Sequence, residues 1–140
     1  MTPETANWVE QQLNVKLSPS FRQYLSAFPF YSKMFVVWEG LVYEPQAIVE
    51  RTKGYRATGF FDRSWPHNYL AIGGDGIGNE FFLNMDDERS PVFLADHEAC
   101  CGSDKLEFEQ ADESFELWVE SMLKTEENTP TWLKERALEE

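Results

Sequence analysis

The 140-residue sequence reads as an α+β domain, a largely antiparallel meander sheet with two N-terminal helices and a C-terminal helix packed on it. Between Tyr69 and Glu98 lie three short runs rich in β-branched and aromatic residues: Leu70 and Ile72, then Phe81 to Leu83, then Val92 to Leu94. Gly, Asn, Asp and Pro separate them, as in a strand meander. Ahead of it, two proline-led stretches carry apolar residues at helical spacing. Behind it, Phe115, Trp118, Val119 and Met122 recur at i, i+3, i+4 and i+7.

Thr2 and Pro3 supply a cap and a first-turn proline, and Trp8, Val9 and Leu13 then fall on one side of a short helix. Ser18-Pro19 repeats the start signal, with Phe21, Tyr24, Leu25 and Phe28 on one face before Pro29 stops the helix. Met34–Trp38 and Leu41–Tyr43 read as a hairpin turning at Glu39-Gly40. Pro45 opens a short helix with Ile48 and Val49 inward, expected to end near Gly54. Asp112 or Ser114 caps the last long helix, whose other face carries Glu113, Glu116 and Glu120. A final short helix is expected around Trp132, Leu133, Arg136 and Ala137.

The length fits one domain, residues 1–140, and 42% hydrophobic residues supply a single core. No apolar run approaches the roughly 20 residues of a membrane span, and the N-terminus lacks a signal-peptide pattern, so a cytoplasmic location is expected. Adjacent Cys100 and Cys101 cannot close a useful loop, and two reduced thiols are expected. Twenty-five acids against twelve bases give a formal charge of −13, which argues against nucleic acid as a partner and for a basic protein surface. Twelve of the acids and four of the bases follow Ala99, so much of the excess charge sits late in the chain. Locally, Arg51, Lys53, Arg56 and Arg63 alternate with Tyr55, Phe60, Phe61 and Trp65. The whole-chain charge argues that this is a loop whose cations pair with nearby acids rather than a nucleic-acid groove.

The loop Gly73-Gly74-Asp75-Gly76-Ile77-Gly78-Asn79 is not a phosphate cradle, because Asn79 and Glu80 stand where that motif needs a lysine and a hydroxyl residue. Nor is it a dinucleotide fingerprint, since a strand follows it, or a calcium loop, since Asp75, Asn79 and Glu80 have the wrong spacing. Turn and bulge chemistry accounts for it. Asp96-His97-Glu98-Ala99-Cys100-Cys101 gathers reactive residue types, but Cys101 stands where a zinc motif needs its second His. Read as strand residues, Asp96 and His97 point to opposite faces and cannot act together as an acid–base pair. An enzyme built on Asp96, His97 and Glu98 is therefore the least favoured reading, and no cofactor or metal is expected.

The order Ile72-Gly73-Gly74-Asp75-Gly76-Ile77-Gly78-Asn79-Glu80-Phe81-Phe82-Leu83, an acidic turn, and Pro91-Val92-Phe93-Leu94-Ala95-Asp96-His97-Glu98 resembles the core of the SUKH superfamily. That superfamily includes yeast cell-wall assembly regulators and many bacterial immunity proteins. Leu17-Ser18-Pro19-Ser20-Phe21-Arg22-Gln23-Tyr24-Leu25 resembles its Leu-Pro-x-x-Tyr-x-x-Phe/Leu helix, and Phe115, Trp118 and Leu123 its closing helix, so the likeness runs from the first helix to about Leu123. Where family members often carry an Asn-Gly-Gly turn, Ala27-Phe28-Pro29-Phe30-Tyr31-Ser32-Lys33 stands instead.

The resemblance implies a binding module, an immunity protein that neutralises a cognate and basic toxin domain; the alternative it implies is an intracellular scaffold or regulator. The residues assigned to the partner surface are Asp75, Asp86, Asp87 and Glu88 in the meander turns, with Phe61 or Trp65 as the aromatic anchor.

Overall fold

Among the described residues, proline opens each of the first three helices, because its fixed φ suits a first helical turn and its missing N–H has no intrahelical partner to lose there. The computed structural model describes residues 3–26, 43–75, 77–118 and 120–121. In it α1 is Pro3–Leu13, α2 is Pro19–Ser26 and α3 is Pro45–Thr58. The expected hairpin (but for Tyr43), Phe28, Pro29, Val119, Met122 and the expected final helix lie outside the described residues.

In α1 the buried stripe is Ala6, Val9 and Leu13, at i, i+3 and i+7, while Trp8 falls off it and is exposed, against expectation. Asn14 then takes a positive φ of 52°, the usual left-handed exit from a helix, and the Val15 N–H returns to the Glu10 carbonyl at 3.3 Å. The Glu10 carboxylate accepts from the Leu17 N–H at 2.8 Å and from the Arg22 guanidinium, tying α1 to α2. Phe21, Tyr24 and Leu25 are the buried face of α2.

Helix α3 does not stop at Gly54 but runs through it to Thr58. Gly54 lies on an open surface, where a glycine costs a helix only about 1 kcal/mol, and the packing of its flanks outweighs that. The stop is Gly59, with φ of 82°; a Cβ there would stand 2.6 Å from the Arg63 carbonyl oxygen, so no other residue fits. The basic stretch is therefore mostly helix, and its cations bind carbonyl oxygens more than acids. Arg56 donates to Leu13 O and His67 O, and Arg63 to Cys100 O.

Strands β1 (Tyr69–Gly74), β2 (Glu80–Asn84), β3 (Val92–Ala95) and β4 (Phe108–Asp112) form one antiparallel sheet in the order β1-β2-β3-β4. Its two faces belong to two cores. Leu70, Ile72, Leu83 and Val92 pack with α1, α2, Ile48 and Val49 of α3, and Phe115 and Trp118. The opposite face carries Ala71, Phe82 and Ala95 under Phe60, Trp65 and Cys100. Across it runs an aromatic ladder: Tyr69 stacks on Phe82 at 4.6 Å, Phe82 on Phe93 at 5.4 Å, and Phe93 meets Phe108 edge-on at 5.3 Å.

Two differences from expectation stand out. Strand β4 was not foreseen, because four of its five residues are exposed and its sequence shows no apolar alternation. Asp96 is not a strand residue but the N-cap of α4 (His97–Cys101), accepting from the Glu98 and Ala99 N–H groups. In keeping with the bulge expected of the glycine loop, β1 carries an irregularity between Ala71 and Gly73, where the Ala71 N–H donates to the buried Thr52 hydroxyl at 3.1 Å. Both cysteines are free, as expected, Cys100 buried and Cys101 exposed.

The Thr52 hydroxyl holds α3 against β1 through that bond. Thr52→Val is expected to destabilise the domain by about 1–3 kcal/mol, the cost of an orphaned buried donor, with Thr52→Ser recovering most of it in urea titrations.

Candidate functional site

At one end of the sheet, three segments are locked together by short polar side chains. Asp75 accepts from the Ile77 N–H at 3.0 Å and the Asn79 N–H at 3.2 Å, and its other oxygen takes the Asn79 side-chain amide at 2.8 Å. That fixes the Asn79 carbonyl toward α4, where it accepts the His97 backbone N–H at 3.0 Å and meets His97 Nδ1 at 2.7 Å. An acceptor there requires the proton on Nδ1. Gly78, with φ of 105°, lies flat on the imidazole; a Cβ would sit 3.0 Å from it. Phe61 also packs against this ring, tilted by 38° at 5.4 Å between centroids.

Phe61 owes its position to an unusual turn. Phe60 and Arg63 exchange backbone hydrogen bonds of 2.8 and 2.9 Å, enclosing Phe61 and Asp62 with φ of 48° and 64°. Two positive φ values in a two-residue turn define the type I′ geometry, which favours Asn-Gly. A phenylalanine there bears strain of about 1–3 kcal/mol. Phe61 is nonetheless 48% exposed, and Ile77, next to Gly78, is 72% exposed. Two apolar side chains thus project from rigidly hydrogen-bonded loops at one end of an acidic molecule, with Asp62 exposed in the Phe61 turn and Glu98 exposed in the first turn of α4.

The sequence-assigned residues do not form one surface. Asp75 and Phe61 belong to this end, while Asp86, Asp87 and Glu88 form the β2–β3 turn at the other, a strand length of roughly 15 Å away. Asp86 accepts from Asn68 at 2.8 Å, and Arg89 holds Asp87 below the usual carboxylate range by donating to it. Glu88 is exposed. Trp65 is not an anchor: it is 5% exposed, packs on Tyr55 and Phe82, and donates its indole N–H to Tyr69 O at 2.8 Å. Its aromatic character reflects the core of the second face. Asp96 is occupied as a helix cap and His97 as a packing and hydrogen-bonding element, so the two do not address a common point.

Behind this end lies a buried polar cluster that the sequence did not reveal. Glu80, at the start of β2, is 3% exposed; its Oε2 accepts the Tyr55 hydroxyl and lies 3.6 Å from Arg51, whose guanidinium sits 4.6 Å over the Tyr43 ring. Oε1 is buried without a hydrogen-bond partner of good geometry. Burial pushes the Glu80 carboxyl above its ordinary 4.5; the Tyr43 and Tyr55 hydroxyls and Arg51 oppose that push, and Asp75 adds to it. Burial and the nearby Glu80 in turn raise both phenols, keeping them protonated as donors.

The family model described as SMI1 / KNR4 family (SUKH-1) matches residues 1–121 of the chain. No curated protein and no solved structure matches it. Among the described residues no helix is long and apolar enough to cross a membrane.

Because the folded-state value is raised, Glu80 contributes most to stability when protonated in both states, and that contribution is lost as pH rises above the ordinary 4.5 toward the folded value. Glu80→Gln is expected to remove this part of the pH slope, leaving a flatter stability curve as pH rises above the ordinary 4.5 in denaturant titrations. A slope unchanged by the substitution would show that the carboxylate is already compensated.

Proposed function

The chain belongs to the SMI1 / KNR4 family (SUKH-1), and from that membership we propose that it is an immunity-type binding module that occludes a basic toxin domain. The observation that carries this reading is Phe61, an exposed aromatic held at a backbone geometry that costs stability, on a loop pinned by Gly59 and by the 2.8 Å bond from Arg63 to Cys100 O. Strained, rigidly supported residues concentrate where function needs a fixed side chain. A rigid aromatic offers a partner apolar contact at little entropic cost on binding. Ile77 enlarges the apolar centre, and the formal charge of −13 would steer a basic partner toward it. Binding by occlusion needs no catalytic group of the chain's own, which is consistent with Asp96 and His97 being spent on structure.

The test is complex formation with the toxin domain encoded beside this chain's gene. Phe61→Asn, a residue at ease at positive φ, is expected to leave stability within about 1 kcal/mol of the parent while weakening the complex roughly tenfold or more. Association should slow as salt rises from about 0.05 to 0.5 M, with dissociation little changed. Absence of any complex at low salt would overturn the reading.

A further inference from the structure

The outer edge of β4 is unlike the rest of the sheet. The Asp96 N–H donates to the Glu107 carbonyl at 3.0 Å, so Glu107 turns its carbonyl inward, while its own N–H goes to Cys100 Sγ at 3.3 Å. By the alternation of antiparallel ladders, Leu94 and Glu109 form the next inward-facing pair. Phe108, opposite Ala95, and Gln110, opposite Phe93, therefore point their backbone N–H and C=O groups outward. Neither has a hydrogen-bond partner on that side among the described residues. Both are exposed, and Phe108, the last rung of the aromatic ladder, is 42% exposed. Two hollows flank the edge. One, of about 590 Å³, is lined by Asp87, Arg89, Phe93, Gln110, Glu113 and Leu117. The other, of about 150 Å³, is lined by Asp96, Ala99, Glu107, Phe108 and Glu109. Arg89, the one cation among the described residues of these linings, is already paired with Asp87.

We propose that this edge receives an extended, basic segment of the partner, which adds to the sheet as a fifth strand beside β4 and sets its cations against Glu107, Glu109, Asp112 and Glu113. The backbone supplies the affinity common to strand addition, and alternate side chains supply the selectivity. A second copy of this chain is the wrong occupant, because edge-to-edge pairing would bring two rows of carboxylates together. A basic strand turns the same charges from a defence against self-association into attraction. Its residues on the Phe108 side would be apolar and those on the Glu109 side basic. The inference rests on the reading of the chain as a binder of basic proteins, and adds a second contact to the one at Phe61.

The probe is a synthetic peptide of about eight alternating lysine and valine residues, a typical strand length, added to the full chain while amide chemical shifts and hydrogen exchange are followed by NMR. The expected result is protection of the Phe108 and Gln110 amides. Of two peptides N-methylated on alternate amides, one set or the other, one should bind roughly tenfold more weakly and its counterpart should bind like the parent, since only one set faces the edge. Glu109→Lys should weaken the parent peptide without altering the fold. Shifts confined to Phe61 and Asp75–Asn79, equal binding of the two methylated peptides, or no binding would each overturn the proposal. Capture of the neighbouring toxin domain through Phe61 would in those cases leave the broader reading intact, and its loss together with peptide binding would do the reverse.

Discussion

A sheet that buries apolar side chains on both faces has to be covered twice, and most of this molecule's particular features follow from that demand. Antiparallel meanders commonly leave one face to water. Here the helices cover Leu70, Ile72, Leu83 and Val92 on one face, and the ladder of Tyr69, Phe82 and Phe93 on the other needs a second lid. The chain between α3 and β1 provides it by inserting Phe60 and Trp65 against Phe82. To reach that position it must leave α3 sharply, which requires Gly59, and reverse within two residues, which places Phe61 and Asp62 at positive φ. Helix α4 completes the lid through Cys100, so Asp96 is needed as a cap to start it where it does. The lid ends before β4, leaving Phe108 partly bare, and among the described residues nothing pairs with the edge beside it.

The parts of this arrangement legible in the sequence were those in which one residue type does one job. Strands β1 to β3 announced themselves because β-branched and aromatic residues were bounded by Gly, Asn, Asp and Pro, and the starts of α1, α2 and α3 because proline sat at each. Strand β4 was not legible: an edge strand exposed along most of its length has no reason to alternate, so Phe-Glu-Gln-Ala-Asp carries no period. Gly54 misled because its helical cost is small beside the tertiary contacts of its neighbours. Trp65 and Phe61 looked equivalent as anchors, four residues apart in one aromatic stretch. Only the backbone turn decides that one faces Phe82 and the other faces water. Asp86, Asp87 and Glu88 were rightly read as a turn. Their distance from Asp75 follows from strand direction, which composition does not encode.

Charge follows a different logic inside and outside. Glu80 is held within the fold by two phenols and a half-exposed arginine, with one oxygen left bare, an arrangement whose desolvation is only partly offset. Because Glu80 sits where β2 begins, its partners Tyr55 and Arg51 fasten α3 to the end of the sheet that also carries Asp75, Asn79 and His97. Beyond Glu10, Asp75, Asp86 and Asp96, which tie segments together or cap a helix, the surface acids described do no comparable structural work. Exposed pairs such as Arg89 with Asp87 contribute little to stability. In the proposed function their value would lie in the long-range field, which changes how fast a charged partner arrives far more than how long it stays.

That division raises the question of what would hold a partner once it has arrived, and the turn at Phe61 bears on it. A segment needed only as a lid could satisfy the same backbone with Asn-Gly, which takes up positive φ at little cost and asks for no exposed apolar surface. The chain carries Phe-Asp instead, accepting strain of about 1–3 kcal/mol to keep an aromatic ring half in water. Contacts with Phe60 and His97 return part of that energy, since edge-on and tilted ring pairs contribute about 0.5–1.5 kcal/mol each where they are well formed. They also fix the ring's direction, and a fixed ring loses less entropy when covered. Lid and proposed anchor are thus adjacent residues, Phe60 turned inward and Phe61 outward, and on that proposal the price of the turn is shared between folding and recognition.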